Sequence, residues 1–330
     1  MKIVKAVEPH KYQEQRERDR SLDLLKAFAI YLVIWGHAIM HFQPNFEESV
    51  SFNVIYSFHM PLFMMLSGYF ATSSMELRIK EFFAKKFRQL LLPCLTWGIV
   101  CWLVISSGLI DGRFELHVRD LFTGWLGLIE NFWFLKSCFI CYTVAWICSR
   151  TGKYKWLALG GAIICSSTVG RFNLSMMFPS FVFGMLLREN TNFAEKLYRY
   201  RYLVMALFLI MLVGSFCVSE KYYIMKLIMR LLGAYSSFAM FKSFSVILST
   251  GNILSIIIRV GETTLGIYVL QAIILEYLMP MYLDLSFFKV TTIEMCLPIL
   301  SLLLTLFLYW VCSLINRSRF LAFFAFGAKR

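Results

Sequence analysis

Ten runs of apolar residues follow one another along the chain, each closed by a short cluster of polar and charged positions. They fall at Leu22–Met40, Phe52–Phe70, Leu90–Leu109, Phe132–Cys148, Trp156–Val169, Leu174–Leu187, Tyr202–Val218, Tyr222–Val246, about Val260–Met279 and Ile293–Ile315. Most approach the ~20 residues that a helix needs to cross the hydrocarbon layer. The pattern predicts an all-α, polytopic integral membrane bundle of about ten transmembrane helices. The fifth and sixth runs are short, so they either extend into flanking residues or form a re-entrant hairpin. Either way the chain returns to the same side. The stretch from Ile253 to Thr264, with Arg259, Gly261 and Glu262, reads as an interfacial approach to the ninth helix.

The polar clusters orient this bundle. With the N-terminus inside, the inner segments (1–20, 78–88, 150–155, 188–201, 242–259 and 317–330) hold 24 Lys and Arg. The outer segments hold five: Arg113, Arg119, Arg171, Lys221 and Lys289. Basic residues concentrate on the cytoplasmic side of membrane proteins, so both termini are expected there and the span count is expected to be even. No internal repeat or low-complexity linker divides the chain. Residues 1–20 read as a cytoplasmic segment, 21–316 as one transmembrane domain and 317–330 as a cytoplasmic tail. The charged first twenty residues lead straight into a span that serves as an uncleaved anchor, with no cleavable signal peptide.

Composition agrees. Of 330 residues 59% are hydrophobic and 16% charged, against about half and a quarter in soluble domains. The net charge of +13 would suggest nucleic acid in a soluble protein. Here it is concentrated in the orienting loops, and no nucleic-acid module is present. Nine cysteines are scattered. Cys138 and Cys141 have redox-motif spacing but sit within an apolar run. With no second ligand pair for a metal, they read as buried thiols.

Ionisable side chains inside the runs carry the candidate chemistry, because such groups are costly in a membrane and normally face a cavity or each other. The first run places Asp23 and Lys26 near its inner end and His37 near its outer end. Lys26 is near enough to the interface to snorkel, and a lone membrane histidine can simply hydrogen-bond a neighbour. The second run, however, holds His59 at a depth similar to His37, followed by Pro61 and then Ser67-Gly68, where backbones can approach closely. Two imidazoles at one level make an acid–base site. Lys136, Lys226, Arg230 and Glu276 lie at comparable depth; a Glu276 pair with Lys226 or Arg230 is the plain alternative to a polar chamber. On the inner side Arg78, Lys80, Lys85, Lys86 and Arg88 precede Leu92-Pro93. Such a loop sets topology and can also bind phosphates.

Together these residues resemble the acyltransferase-three family of bacterial membrane O-acyltransferases, and within it the short fucose 4-O-acetylase-like members. Asp23-x-x-Lys26 with ten residues before His37 is similar to the family's first-helix motif. Phe58-His59-Met60-Pro61-Leu62-Phe63 with Ser67-Gly68-Tyr69 resembles its second-helix motif. Lys85-x-x-Arg88, Trp133-Phe134-Leu135 and Thr264-Leu265-Gly266-Ile267-Tyr268 resemble three further stretches, in order, over nearly the whole chain. Two positions depart: Lys26 stands where many members have Arg, which removes a bidentate contact, and Gln271 stands where relatives often have His.

The resemblance implies transfer of an acyl group, most often acetyl, from cytosolic acyl-CoA to a hydroxyl of an envelope glycan or lipid-linked saccharide. It implies a place in the bacterial cytoplasmic (inner) membrane, with acetyl-CoA as donor substrate and no bound cofactor. His37 is the expected general base with His59 beside it. Lys26, Lys85 and Arg88 are expected on the donor, and Lys136, Arg230 and Ser67 on the acceptor or oxyanion. Lys26 and His37 are eleven residues apart, about 16 Å of helix, comparable to an extended pantetheine arm. A transporter or glycan flippase could use the same embedded charges, and a purely structural subunit would leave both histidines without a task.

Overall fold

The computed structural model describes residues 20–106, 132–169, 171–217, 223–244, 252–279 and 290–328. The basic residues before Arg20 and the outer residues Arg113, Arg119, Lys221 and Lys289 lie outside them. Every described element is helical, and the described part of each apolar run is helical, the ninth run being divided between two helices. The long helices are α1 (Arg20–Phe42), α2 (Val50–Tyr69), α3 (Ile79–Lys86), which continues through a wide turn at Phe87–Leu91 into α4 (Leu92–Ser106), and α5 (Trp133–Ser149). Then come α6 (Lys155–Ser167), α7 (Leu174–Glu189), α8 (Thr191–Arg199), α9 (Arg201–Cys217) and α10 (Tyr223–Phe244). The chain closes with α11 (Asn252–Glu262), α12 (Thr264–Ile273), α13 (Val290–Ile315) and α14 (Arg319–Phe326).

Five helices among the described residues are long and apolar enough to cross a membrane: α1, α2, the continuous Ile79–Val104 rod, α10 and α13. Two bent pairs bring the number to seven if each is one broken span. They are α8 with α9, bent by 69°, and α11 with α12, bent by 73°. The approach segment is therefore a separate helix set steeply to the next. At 13 and 16 residues, α6 and α7 reach about 20 and 24 Å, short of a ~30 Å hydrocarbon layer. With this many apolar helices the chain is a multi-pass membrane protein.

Contacts fix the directions. Lys26 stands over Phe70 and Gly36 abuts Tyr56, so α1 and α2 are antiparallel. Phe134 meets Phe63 and the Tyr142 hydroxyl reaches the Ser67 carbonyl, so α5 runs with α2. Two glycines bring α2 and α7 into close backbone contact. A Cβ on Gly68 would lie 1.9 Å from the Phe181 carbonyl oxygen, and one on Gly184 would lie 1.9 Å from that of Met65. Only glycine at both places lets the backbones meet. Around α1, the most enclosed helix, Ile30, Ile34, Leu62, Met64 and Phe181 form a dry centre, each with 1% exposure or less.

Candidate active site

A cavity of about 610 Å³ opens inside the bundle between α1, α2, α5 and α12. On α1 its wall is Lys26, Ile30 and Val33. Steps of four and three keep these on one helix face, and the next position on that face is His37. On α2 the wall is Met60, Phe63 and Ser67, with His59 directly before Met60. The cavity is thus basic at the Lys26 end, apolar along its length, and ends about one helical turn below His37.

Lys26 does not merely reach for the interface. Its ammonium pairs with the buried Asp23 carboxylate at 3.1 Å and stands 4.5 Å over the Phe70 ring. Lys86 joins it from α3, 4% exposed, with its ammonium 3.4 Å from the centre of the Tyr142 ring. Arg88 completes the basic mouth. Lys85, adjacent to Lys86, is half-buried and does not line the cavity. The cause is the π-helical turn at Phe87–Leu91, where the Leu92 N–H bonds the Phe87 carbonyl. Pro93 has no N–H for the Gln89 carbonyl, so the helix widens there. Lys85 and Arg88 therefore do not share a face in the way a regular i, i+3 spacing implies.

Within the segment expected as a tail, Arg319–Phe326 folds back as α14. Trp97 Nε1 donates to the Ala325 carbonyl at 2.8 Å, and Phe326, Gly327 and Ala328 become cavity wall. Gly327 has φ +63°, and a Cβ there would lie 1.9 Å from the Arg88 carbonyl oxygen. Gly327→Val combines left-handed strain of about 1–3 kcal/mol with that collision. It should displace the strap and lower the detergent melting temperature; an unchanged melting temperature would mean that the strap is not seated against Arg88.

Toward the other end, His59 is 2% exposed, and its Nδ1 lies 2.7 Å from the Ile55 carbonyl oxygen. A carbonyl only accepts, so Nδ1 carries the hydrogen and Nε2 of the neutral ring keeps its lone pair. Tyr56 packs edge-on to the imidazole, ring centres 4.6 Å apart. His37 and His59 sit within electrostatic reach of each other; Arg230 acts on His59, and His41 on His37. His37 Nδ1 is buried with no hydrogen-bond partner. His37, His59 and Arg230 thus share one electrostatic neighbourhood. Glu276 interacts with Tyr56, Cys101 and Tyr268 nearby.

Two other singled-out residues lie elsewhere. Ser67 is eight residues, about 12 Å, from His59 toward the basic mouth, its hydroxyl 3.8 Å from Cys138 Sγ. Lys136 is half-buried off the cavity wall, 5.0 Å over the Phe172 ring and in electrostatic contact with Cys94. Sequence reasoning named Lys86 in the basic loop without choosing it for the donor, and passed over Tyr142 and Phe326–Ala328. The tyrosine's place one turn past Cys138 could have flagged it; nothing in the tail's composition could. Cys138 and Cys141 are free buried thiols, and among the described residues no group of three His, Cys, Asp or Glu is placed to hold a metal ion.

Comparison with known proteins bears on what such a cavity serves. A family model described as an acyltransferase domain matches residues 19–327. Nodulation protein NolL of Mesorhizobium japonicum is 26% identical over 202 residues, covering 58% of this chain and 53% of that protein. NolL of Sinorhizobium fredii is 28% identical over 196 residues, covering 53% and 51%. The chain spans about half the length of these curated relatives. No solved structure matches it. With the family model running from the first turn of α1 to the Gly327 strap, the chain belongs to the acyltransferase-three family.

Proposed function

We propose that this protein moves an acyl group, most often acetyl, from cytosolic acyl-CoA to a hydroxyl of an envelope or exported glycan on the far side of the bacterial inner membrane. The observation that carries this reading is one cavity running from a basic mouth toward the foot of the histidine pair. Lys26, Lys86 and Arg88 offer charge to the donor's phosphates. The apolar stretch past Ile30, Val33 and Met60 suits a pantetheine arm and covers about 10 Å of the ~16 Å between Lys26 and His37.

In this reading all ten apolar runs form the membrane body, both termini are cytoplasmic and the Lys26 end faces the donor. At the other end His37 takes the acceptor proton as the hydroxyl attacks the thioester carbonyl. Arg230 and the His59 ring, held by Ile55, stabilise the oxyanion or orient the sugar. The departing thiolate leaves along the cavity by which it came. Lys85 and Lys136 stand further back, as secondary charge for donor and acceptor respectively, and Ser67 lines the donor path.

The test is vesicles holding the protein, labelled acetyl-CoA on the Lys26 side and glycan on the other. Label bonded to glycan supports the proposal. Label or glycan crossing intact, without bond formation, would replace it by a transporter, which the 73° break of α11–α12 beside the cavity favours as second reading. Arg88→Gln and Lys86→Gln should each raise the donor KM about tenfold or more, the loss of one charged contact, with kcat little changed. An unchanged KM in both would remove the mouth from donor binding.

A further inference from the structure

A second basic and aromatic cluster lies at the same end of the bundle, away from the cavity, where α8 bends into α9. Arg201, at the bend, donates to the Tyr198 carbonyl at 3.1 Å and the Tyr202 hydroxyl at 3.4 Å, and its guanidinium is 4.5 Å from both rings. Lys242 of α10 stands 5.3 Å over the same Tyr198 ring, and the Tyr198 hydroxyl meets Ser243 at 2.9 Å. Tyr235, 2% exposed, interacts electrostatically with Arg201 and Tyr198.

Two polar atoms in this cluster, Arg201 Nε and the Tyr235 hydroxyl, are buried with no hydrogen-bond partner. Buried donors left unmade cost about 1–3 kcal/mol each, and both point to a missing acceptor. The cluster also sits where a lipid headgroup would. α8 is strongly amphipathic, Tyr200 and Tyr202 are exposed as interfacial tyrosines are, and α9 above them turns an apolar stripe outward through Leu203, Ile210 and Val213, each more than half exposed.

We propose that Arg201, Lys242 and the Tyr235 hydroxyl hold the phosphate of one anionic phospholipid, whose acyl chains lie along α9. Planar guanidinium and phenol donors suit a phosphate, and a basic site at this interface favours anionic over zwitterionic headgroups. The site is independent of the acyl-transfer reading.

The experiment is native mass spectrometry of the full chain in detergent, titrated with phosphatidylglycerol or phosphatidylcholine. One phosphatidylglycerol should be retained by the parent protein, and retention should fall about tenfold in Arg201→Gln and in Tyr235→Phe. The latter keeps the ring and so the packing. Phosphatidylcholine should not be retained. Equal retention of the two lipids, or undiminished phosphatidylglycerol in both variants, would overturn the proposal. Inorganic phosphate at millimolar concentration is the third arm. If it displaces the lipid completely, the site reads free phosphate, and the lipid assignment falls.

Discussion

Membranes carrying His37→Ala at normal protein level should transfer acetyl to glycan roughly 10²–10⁴-fold more slowly than the parent, the usual contribution of a positioned acid–base group. Donor binding should be unchanged, because His37 stands beyond the cavity wall that meets the donor. His59→Ala is the necessary comparison. The Ile55 carbonyl orients His59 and leaves its Nε2 open, an arrangement that also suits a base. If His59→Ala abolishes transfer while His37→Ala leaves it intact, the base is His59 and His37 is an acceptor contact. Loss in both with unaltered donor KM supports a pair acting together, and the two losses should then fall well short of multiplying in the double variant.

The largest expected loss of folded protein comes from Gly68→Leu or Gly184→Leu. Each would drive a side chain into the facing backbone, where even a Cβ would stand 1.9 Å from a carbonyl oxygen. Backbone cannot rotate away as a side chain does, so α2 and α7 must part. Overpacking of an ordinary core costs about 1–3 kcal/mol, and this contact should exceed that range. The measurement is the monodisperse fraction after detergent extraction. Since one enlarged residue already separates the helices, the second should add little. Full additivity would mean that the two contacts do not belong to one helix crossing. Because α2 carries His59 and Ser67, such variants should lose activity through folding, while His37→Ala should leave extraction unchanged.

The helices were legible because most apolar runs are long and bounded by charge, and bilayer burial leaves that mark in any order of packing. The similar depth of His37 and His59 was legible because α1 and α2 are consecutive and antiparallel. Ser67-Gly68 announced a close approach, but not its partner: Gly184 lies on α7, 116 positions along the chain, and no local pattern links them. Lys86 rather than Lys85 on the cavity wall depended on a helical turn of uncommon pitch. The Gly327 strap depended on a tertiary contact with Arg88, and a short apolar helix near the C-terminus says nothing of where it docks.

The wide turn at Phe87–Leu91 amounts to one surplus residue within an otherwise regular rod. Point substitutions there leave the surplus in place, so most should be tolerated. Removing one residue, Gln89 for instance, would restore ordinary pitch, and because the wide turn already absorbs the surplus, Lys86 would keep its face. Adding one residue with no further widening would instead swing everything before it by about 100°. In the terms of inheritance, the basic end of this cavity is buffered against a misspelling and a lost letter and exposed to a gained one.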